Sequence, residues 1–169
     1  MKRLFALLAL AAAAATVAAV VLVSSGRSSA TAPRTGFPGT LPPAAPAGQM
    51  TLYGHIKTLK RTRGRIQMRF DPAWLTEGLT ARLAAGPENP NDRYVMEGGH
   101  RWLTYVVAPA AEITVLTLPG PSRTSIKLAE LVHIVDGGPH RKLFEPLASG
   151  VWIRVGVDTI REIDQQYVP

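Results

Sequence analysis

Six cationic side chains, Lys57, Lys60, Arg61, Arg63, Arg65 and Arg69, fall within a stretch, residues 51–70, that holds no acid. Charge concentrated in this way supports binding rather than bond-breaking. It attracts polyanions such as wall polymers, lipid head groups or nucleic acid. The same residues also suit a solvated turn that guards a strand edge with charge. Tyr53 and Trp102 offer stacking platforms, although aromatics on strands more often fill a core. A second basic stretch, His140-Arg141-Lys142, precedes Leu143-Phe144. It reads as a connector whose two apolar side chains plug the end of a barrel.

Signals for catalysis are weaker. The chain has no cysteine, which excludes disulfides, thiol chemistry, thiolate zinc sites and attachment through a lipobox cysteine. The four histidines, His55, His100, His133 and His140, form no H-x-H or H-E-x-x-H spacing. His133 and Asp136 share a helix face at i, i+3, but two ligands do not make a zinc site, so no metal is expected. No glycine-rich phosphate loop is present, and no cofactor is expected. Ser149-Gly150 lacks the G-x-S-x-G context, and Ser122, Thr124 and Ser125 read as turn and cap residues. Asp71 and Asp158 each close a strand. If those strands were neighbours, two carboxylates would meet as in glycoside hydrolysis. Singly, each is an ordinary turn former.

The elements that must position these residues follow from periodicity. Leu52–Leu59 reads as a strand, Arg61-Thr62-Arg63-Gly64 as a turn, and Arg65–Phe70 alternates strictly, with Ile66, Met68 and Phe70 on one face. The pair predicts a hairpin ended by Asp71-Pro72. A short helix is predicted over Thr76–Ala85, then a loop over Gly86–Asp92. Tyr94–Glu97 and Arg101–Val107 flank Gly98-Gly99 and predict a second hairpin. Glu112–Thr117 is a further β-branched run. Leu128, Leu131, Val132 and Val135, spaced i, i+3, i+4 and i+7, predict a helix capped by Ser125 and stopped by Gly137-Gly138. Val151–Asp158 is the last predicted strand, followed by a charged tail from Thr159 to Pro169. The fold class expected is mainly β (α+β): a small OB-like barrel or half-barrel with two short helices, because curling removes open edges.

An N-terminal transmembrane helix is expected before this domain. Leu4–Val23 is a run of 20 residues, apolar except for Thr16, preceded by Lys2 and Arg3. A helix of that length spans the ~30 Å hydrocarbon core of a bilayer. The run exceeds a signal-peptide h-region, and Pro33 follows the A-x-A match at Ala30-Thr31-Ala32. The expectation is a signal-anchor over 1–23 and a single-pass chain in the cell membrane, with secretion after cleavage as the alternative. Residues 24–49, rich in Pro, Ala and Ser, read as a disordered linker, and 50–169 as the extracytoplasmic domain. The net charge of +7 counts Lys2, Arg3, Arg27 and Arg34 with no acid among residues 1–50. With 19 basic and 12 acidic residues in the whole chain, the remainder carries only +3, which argues against nucleic acid as the partner.

The anchor, the stretch Asn91-Asp92-Arg93-Tyr94 and the ending Gln165-Gln166-Tyr167-Val168-Pro169 resemble membrane-anchored or secreted small-domain proteins of GC-rich bacteria. That resemblance implies a location and no chemistry. The functional expectation is therefore a non-enzymatic, membrane-tethered binding module. Its partner is an anionic envelope polymer or another envelope protein, and its surface is the basic hairpin. The alternatives are a small envelope hydrolase using Asp71, Asp158 or His133, and a structural subunit of a membrane protein assembly.

Overall fold

Strict alternation over Arg65–Phe70 builds the first hairpin. Strand β1 (Gln49–Thr62) pairs antiparallel with β2 (Arg65–Glu77), from Tyr53 opposite Ala73 to Thr62 opposite Arg65. The structure is a computed structural model and describes residues 42, 44–88, 92–99 and 101–167. The expected anchor, and all of the linker before residue 42, lie outside the described residues. Among the described residues no helix is long and apolar enough to cross a membrane.

After β2 come helix α1 (Gly78–Ala85), β3 (Arg93–Glu97), β4 (Leu103–Thr117), β5 (Ser122–Ser125), helix α2 (Leu128–Val135), a single 3-10 turn at Leu147–Ser149, β6 (Val151–Gly156) and β7 (Thr159–Gln165). The sheet order is β3-β2-β1-β6-β7-β4-β5, and a further pairing of β2 with β4 closes it. The result is a closed barrel of five strands, β1, β2, β4, β7 and β6, with two helices, as the barrel expectation requires. β7 runs parallel to β4, and the other neighbours are antiparallel. Met68, Phe70, Val107, Val115, Val151, Ile153, Ile160 and Ile163 fill the interior, and Leu131 and Ile134 of α2 join the same cluster.

Several elements differ from the sequence reading. Tyr94–Glu97 and Leu103–Val107 do not form a hairpin with each other. Both lie end to end along one edge of β2, β3 against Ala73–Glu77 and β4 against Ile66–Phe70. Gly98-Gly99 therefore links two partners of one strand. β2 also continues past Asp71-Pro72. Pro72 falls in the gap between β4 and β3, so its missing N–H breaks no ladder bond on that side. Ser125 does not cap α2. Its backbone is held in β5 opposite Thr114, the Ile126 N–H donates to the Ile113 carbonyl at 2.9 Å, and the helix opens after Lys127. The expected tail from Thr159 is instead β7, the middle strand between β6 and β4.

Two glycines permit close approach across the barrel wall. A Cβ on Gly54 would run into the Asp71 carbonyl and the Phe70 ring, and one on Gly150 into the Tyr53 hydroxyl. At Gly54 backbone and a ring fill the place of a side chain, and at Gly150 the Tyr53 side chain does. Gly54→Ala should cost about 3 kcal/mol or more, because the obstacle is backbone and a buried ring. Gly138→Ala, where the nearest atom is 3.2 Å away, should cost far less. Urea unfolding of the three chains measures the difference, and equal losses would remove the close-packing argument.

Candidate functional site

The turn between β1 and β2 has two residues, Arg63 and Gly64, with φ of 50° and 78°. Two successive positive φ values are those of a type I′ turn, whose twist matches a hairpin and whose first position favours Asn, Asp or Gly. An arginine there holds a left-handed backbone that its side chain does not favour. Thr62 and Arg65 face each other at the strand ends, so the tip carries Lys60, Arg61, Arg63 and Arg65 within six residues.

Alternation then divides the cations between two faces. Arg61 lies opposite Ile66, on the side of Leu59, Met68 and the core. Lys60, Arg65 and Arg69 take the outer side. A bulge between Ile56 and Thr58 displaces Lys57, which ion-pairs with Asp71 at 3.0 Å. The Arg69 guanidinium stacks over the Trp102 ring at 4.8 Å, and the Lys57 ammonium lies 5.7 Å from the same ring. The six expected residues thus form two groups. Lys57 and Arg69 are engaged beside Trp102. Among the described residues, Lys60, Arg61, Arg63 and Arg65 make no ion pair.

Below the tip lies a groove of about 1020 Å³, within the usual scale of ligand pockets. Its floor is apolar, from Leu59, Ile66, Val107, Leu128 and Val132, and its rim carries Lys60, Arg61, Arg65, His133 and Asp136. Its position follows from lost pairing. β1 leaves β6 at Gly54, so beyond that residue its free side meets α2 instead of a strand. β4 leaves β7 between Val107 and Glu112, where Ala108-Pro109-Ala110-Ala111 supplies small side chains and one residue without a donor. The sequence reading missed this groove. Its signal was α2 itself, where apolar residues cover more of the circumference than the buried Leu131 and Ile134 require.

The remaining candidates are dispersed. His133 and Asp136 are exposed on α2 and at its end. Asp71 is held by Lys57 on β2, whereas Asp158 sits in the turn between β6 and β7. β1 separates β2 from β6, so the two carboxylates are not on neighbouring strands. Among the described residues no group of three or more His, Asp or Glu could hold a metal ion. Leu143 packs on the core and bridges to Thr117, and the Arg141 guanidinium pairs with Glu130, so the His140–Glu145 segment is a connector.

A polar seam braces the loop after that connector. The Tyr53 hydroxyl donates to the Ser149 carbonyl at 3.0 Å, and the ring packs edge-on against Trp152. His55 has Nδ1 2.9 Å from the Ala148 carbonyl and Nε2 2.9 Å from Glu97 Oε1. Both partners are acceptors, so only the imidazolium donates to both. Burial, with the negative charges of Glu97 and Glu145, pushes the Tyr53 phenol up to about 12.

No protein-family model, no curated protein and no solved structure matches this chain. The site therefore rests on its own geometry.

Two outcomes follow from that geometry. The unfolded Tyr53 ionises near 10 and the folded one near 12. Its contribution to stability is therefore complete below pH 10 and lost as pH rises toward 12. Tyr53→Phe should show a shallower loss of unfolding free energy across that interval, by an amount on the order of 2 kcal/mol. Parallel curves for the two chains would remove Tyr53 as the cause. Separately, Arg63→Asn should raise stability by roughly 1 kcal/mol, since Asn accepts the left-handed turn position. A loss in thermal or urea unfolding would contradict the turn assignment.

Proposed function

We propose that this chain is a membrane-tethered, extracytoplasmic binding module that takes anionic envelope ligands on the tip and outer face of its first hairpin. The observation that carries this reading is the unpaired charge at the tip. Lys57, Arg82, Arg93, Arg123, Arg141 and Arg154 each meet a carboxylate. Among the described residues Lys60, Arg61, Arg63 and Arg65 do not, and unlike Arg101, Lys127, Lys142 and Arg161, which also lack a carboxylate, they crowd within six residues. Uncompensated like charges repel one another and weaken the hairpin unless a ligand supplies the counter-charge.

Fold analogy supports the same surface. The barrel is OB-like, and OB-type barrels hold oligonucleotide or oligosaccharide chains on the face of their second and third strands and on the loop between the first and second. The corresponding parts here are the outer face of β2 and β4 and the turn at Arg63-Gly64. That face presents Arg65, Gln67 and Arg69, and Trp102 precedes β4. A cation stacked on an aromatic beside further cations suits a chain of alternating anionic and ring-bearing units. The expected anchor and linker would hold this face in the envelope, where such polymers occur.

The test uses the full chain in phosphatidylcholine nanodiscs and inorganic polyphosphate as the probe. Retention on immobilised polyphosphate should fall steeply with added salt, because exposed charges are screened beyond ~10 Å at 0.1 M. Reversing Lys60, Arg63 and Arg65 to Glu one at a time should weaken it in steps. Retention indifferent to salt and to all three reversals would overturn the proposal.

A further inference from the structure

We propose that the groove between the hairpin and α2 binds a single-chain anionic amphiphile, with the alkyl chain on the apolar floor and the head group at Arg61 and Arg65. The inference goes beyond polymer binding. It shares two cations with that reading but also requires the floor, which a polymer on the outer face never touches.

Three observations carry it. First, Arg61 is on the core side of the hairpin, in register with Ile66 and next to Leu59. A cation whose only role was solubility or polymer contact would sit on the outer side with Lys60 and Arg65. Placed on the inner side, its exposed guanidinium stands at the mouth of an apolar groove, within reach of an anionic head group. Second, Leu128 and Val132 are only half buried, although Leu131 and Ile134 beside them are covered. They leave the outer part of the helix stripe facing the groove. Third, the floor offers few hydrogen-bonding groups. Among the lining residues, polar side chains other than the tip cations are Thr159, His133 and Asp136. Backbone groups freed on β1 beyond Gly54 and on β4 over Ala108–Ala111 lie at its edge, so the apolar side chains of the floor, with the charge above them, are what favour an amphiphile. The charge on the rim selects the head: Lys60, Arg61 and Arg65 oppose the single carboxylate of Asp136, which favours an anion over a zwitterion or a cation.

The experiment uses the full chain in phosphatidylcholine nanodiscs and n-alkyl phosphates, octyl to dodecyl, with a photoactivatable diazirine at the chain end. Irradiation followed by peptide mapping should show saturable labelling in the segments around Ile66 and Val132. Apparent affinity should rise roughly two- to fourfold per added methylene, as burial of apolar surface requires. The matching alkyl alcohol should label these segments weakly. Arg61→Ala should weaken labelling roughly tenfold or more, the loss of one charge-assisted contact. Ala129→Trp supplies the second variant. Ala129 is exposed on α2 and lines the groove, so a bulky side chain there fills the space without entering the core. It should abolish labelling while polyphosphate retention stays unchanged.

Labelling that fails to saturate, that the alcohol matches, or that survives Ala129→Trp overturns the groove assignment, even if polyphosphate is still bound. Labelling that is sensitive to Ala129→Trp in a chain that ignores polyphosphate supports the groove and removes the polymer reading instead.

Discussion

Strand β4 has to satisfy two unlike ladders at once. Over Leu103–Val107 it runs antiparallel to β2, and over Val106–Val107 and Glu112–Thr114 it runs parallel to β7. Antiparallel and parallel ladders space their hydrogen bonds differently. One strand serves both because it has two edges: β4 gives one to β2 and then to β5, and the other to β7, with a register shift over Ala108–Ala111. A domain without cysteine has no covalent clasp, so this closure keeps the barrel edges from solvent. Val107, Ile113, Val115 and Leu116 become interior residues as a consequence.

The same closure explains where the groove and the cationic tip lie. A strand that shifts register cannot remain flush with both neighbours, and β4 withdraws from β7 where its side chains are smallest. β1 withdraws from β6 at Gly54, where Asp71 and Phe70 leave no room for a Cβ. The wall is therefore incomplete in two adjoining places, and α2 is the element that covers the opening. Leu131 and Ile134 complete the core, while Leu128 and Val132 stand over space that no strand occupies. The hairpin tip extends past the last β6 partner and carries its cations above that space. Period-two alternation then points Arg61 toward the groove and starts Lys60 and Arg65 from the outer side, and at the tip all three line the rim.

How legible this was in the sequence depended on whether a pattern was local. The first hairpin was legible because Arg65–Phe70 alternates without interruption and Arg63-Gly64 is a two-residue turn. The cationic cluster was legible as composition, and alternation divides Lys60, Arg61 and Arg65 between the faces; only the place of Lys57 needed the bulge. Gly98-Gly99 was misread because two apolar segments around a glycine pair look the same whether they pair with each other or share a third strand. β7 was hidden for a different reason. A register shift against β6 near Arg161 puts Ile160 and Ile163 three residues apart, so period two fails. Its charges also look like those of a solvated tail until their partners are placed. Glu162 meets Arg154 at 2.6 Å across the β6 ladder, and Asp164 meets Arg123 from β5.

Those pairs show why the tip is different. On β7 each carboxylate is drawn from water and held by a guanidinium, and Gln165 adds a buried amide. That amide accepts the Leu116 N–H at 2.8 Å and donates to the Glu145 carbonyl at 3.0 Å. Burying such groups is tolerable because each carboxylate has its guanidinium, although Arg154 Nε is itself buried without a hydrogen-bond partner, and removal of either member would leave a costly orphan. The fold therefore places its acids where the structure must be fixed. The hairpin tip receives the opposite treatment: cations in solvent, a strained turn residue, and no acid within the stretch. Structural economy alone would put Asn in the turn and a glutamate opposite Arg65. Four positive charges thus crowd where the hairpin overhangs the groove, and among the described residues no carboxylate ion-pairs with them.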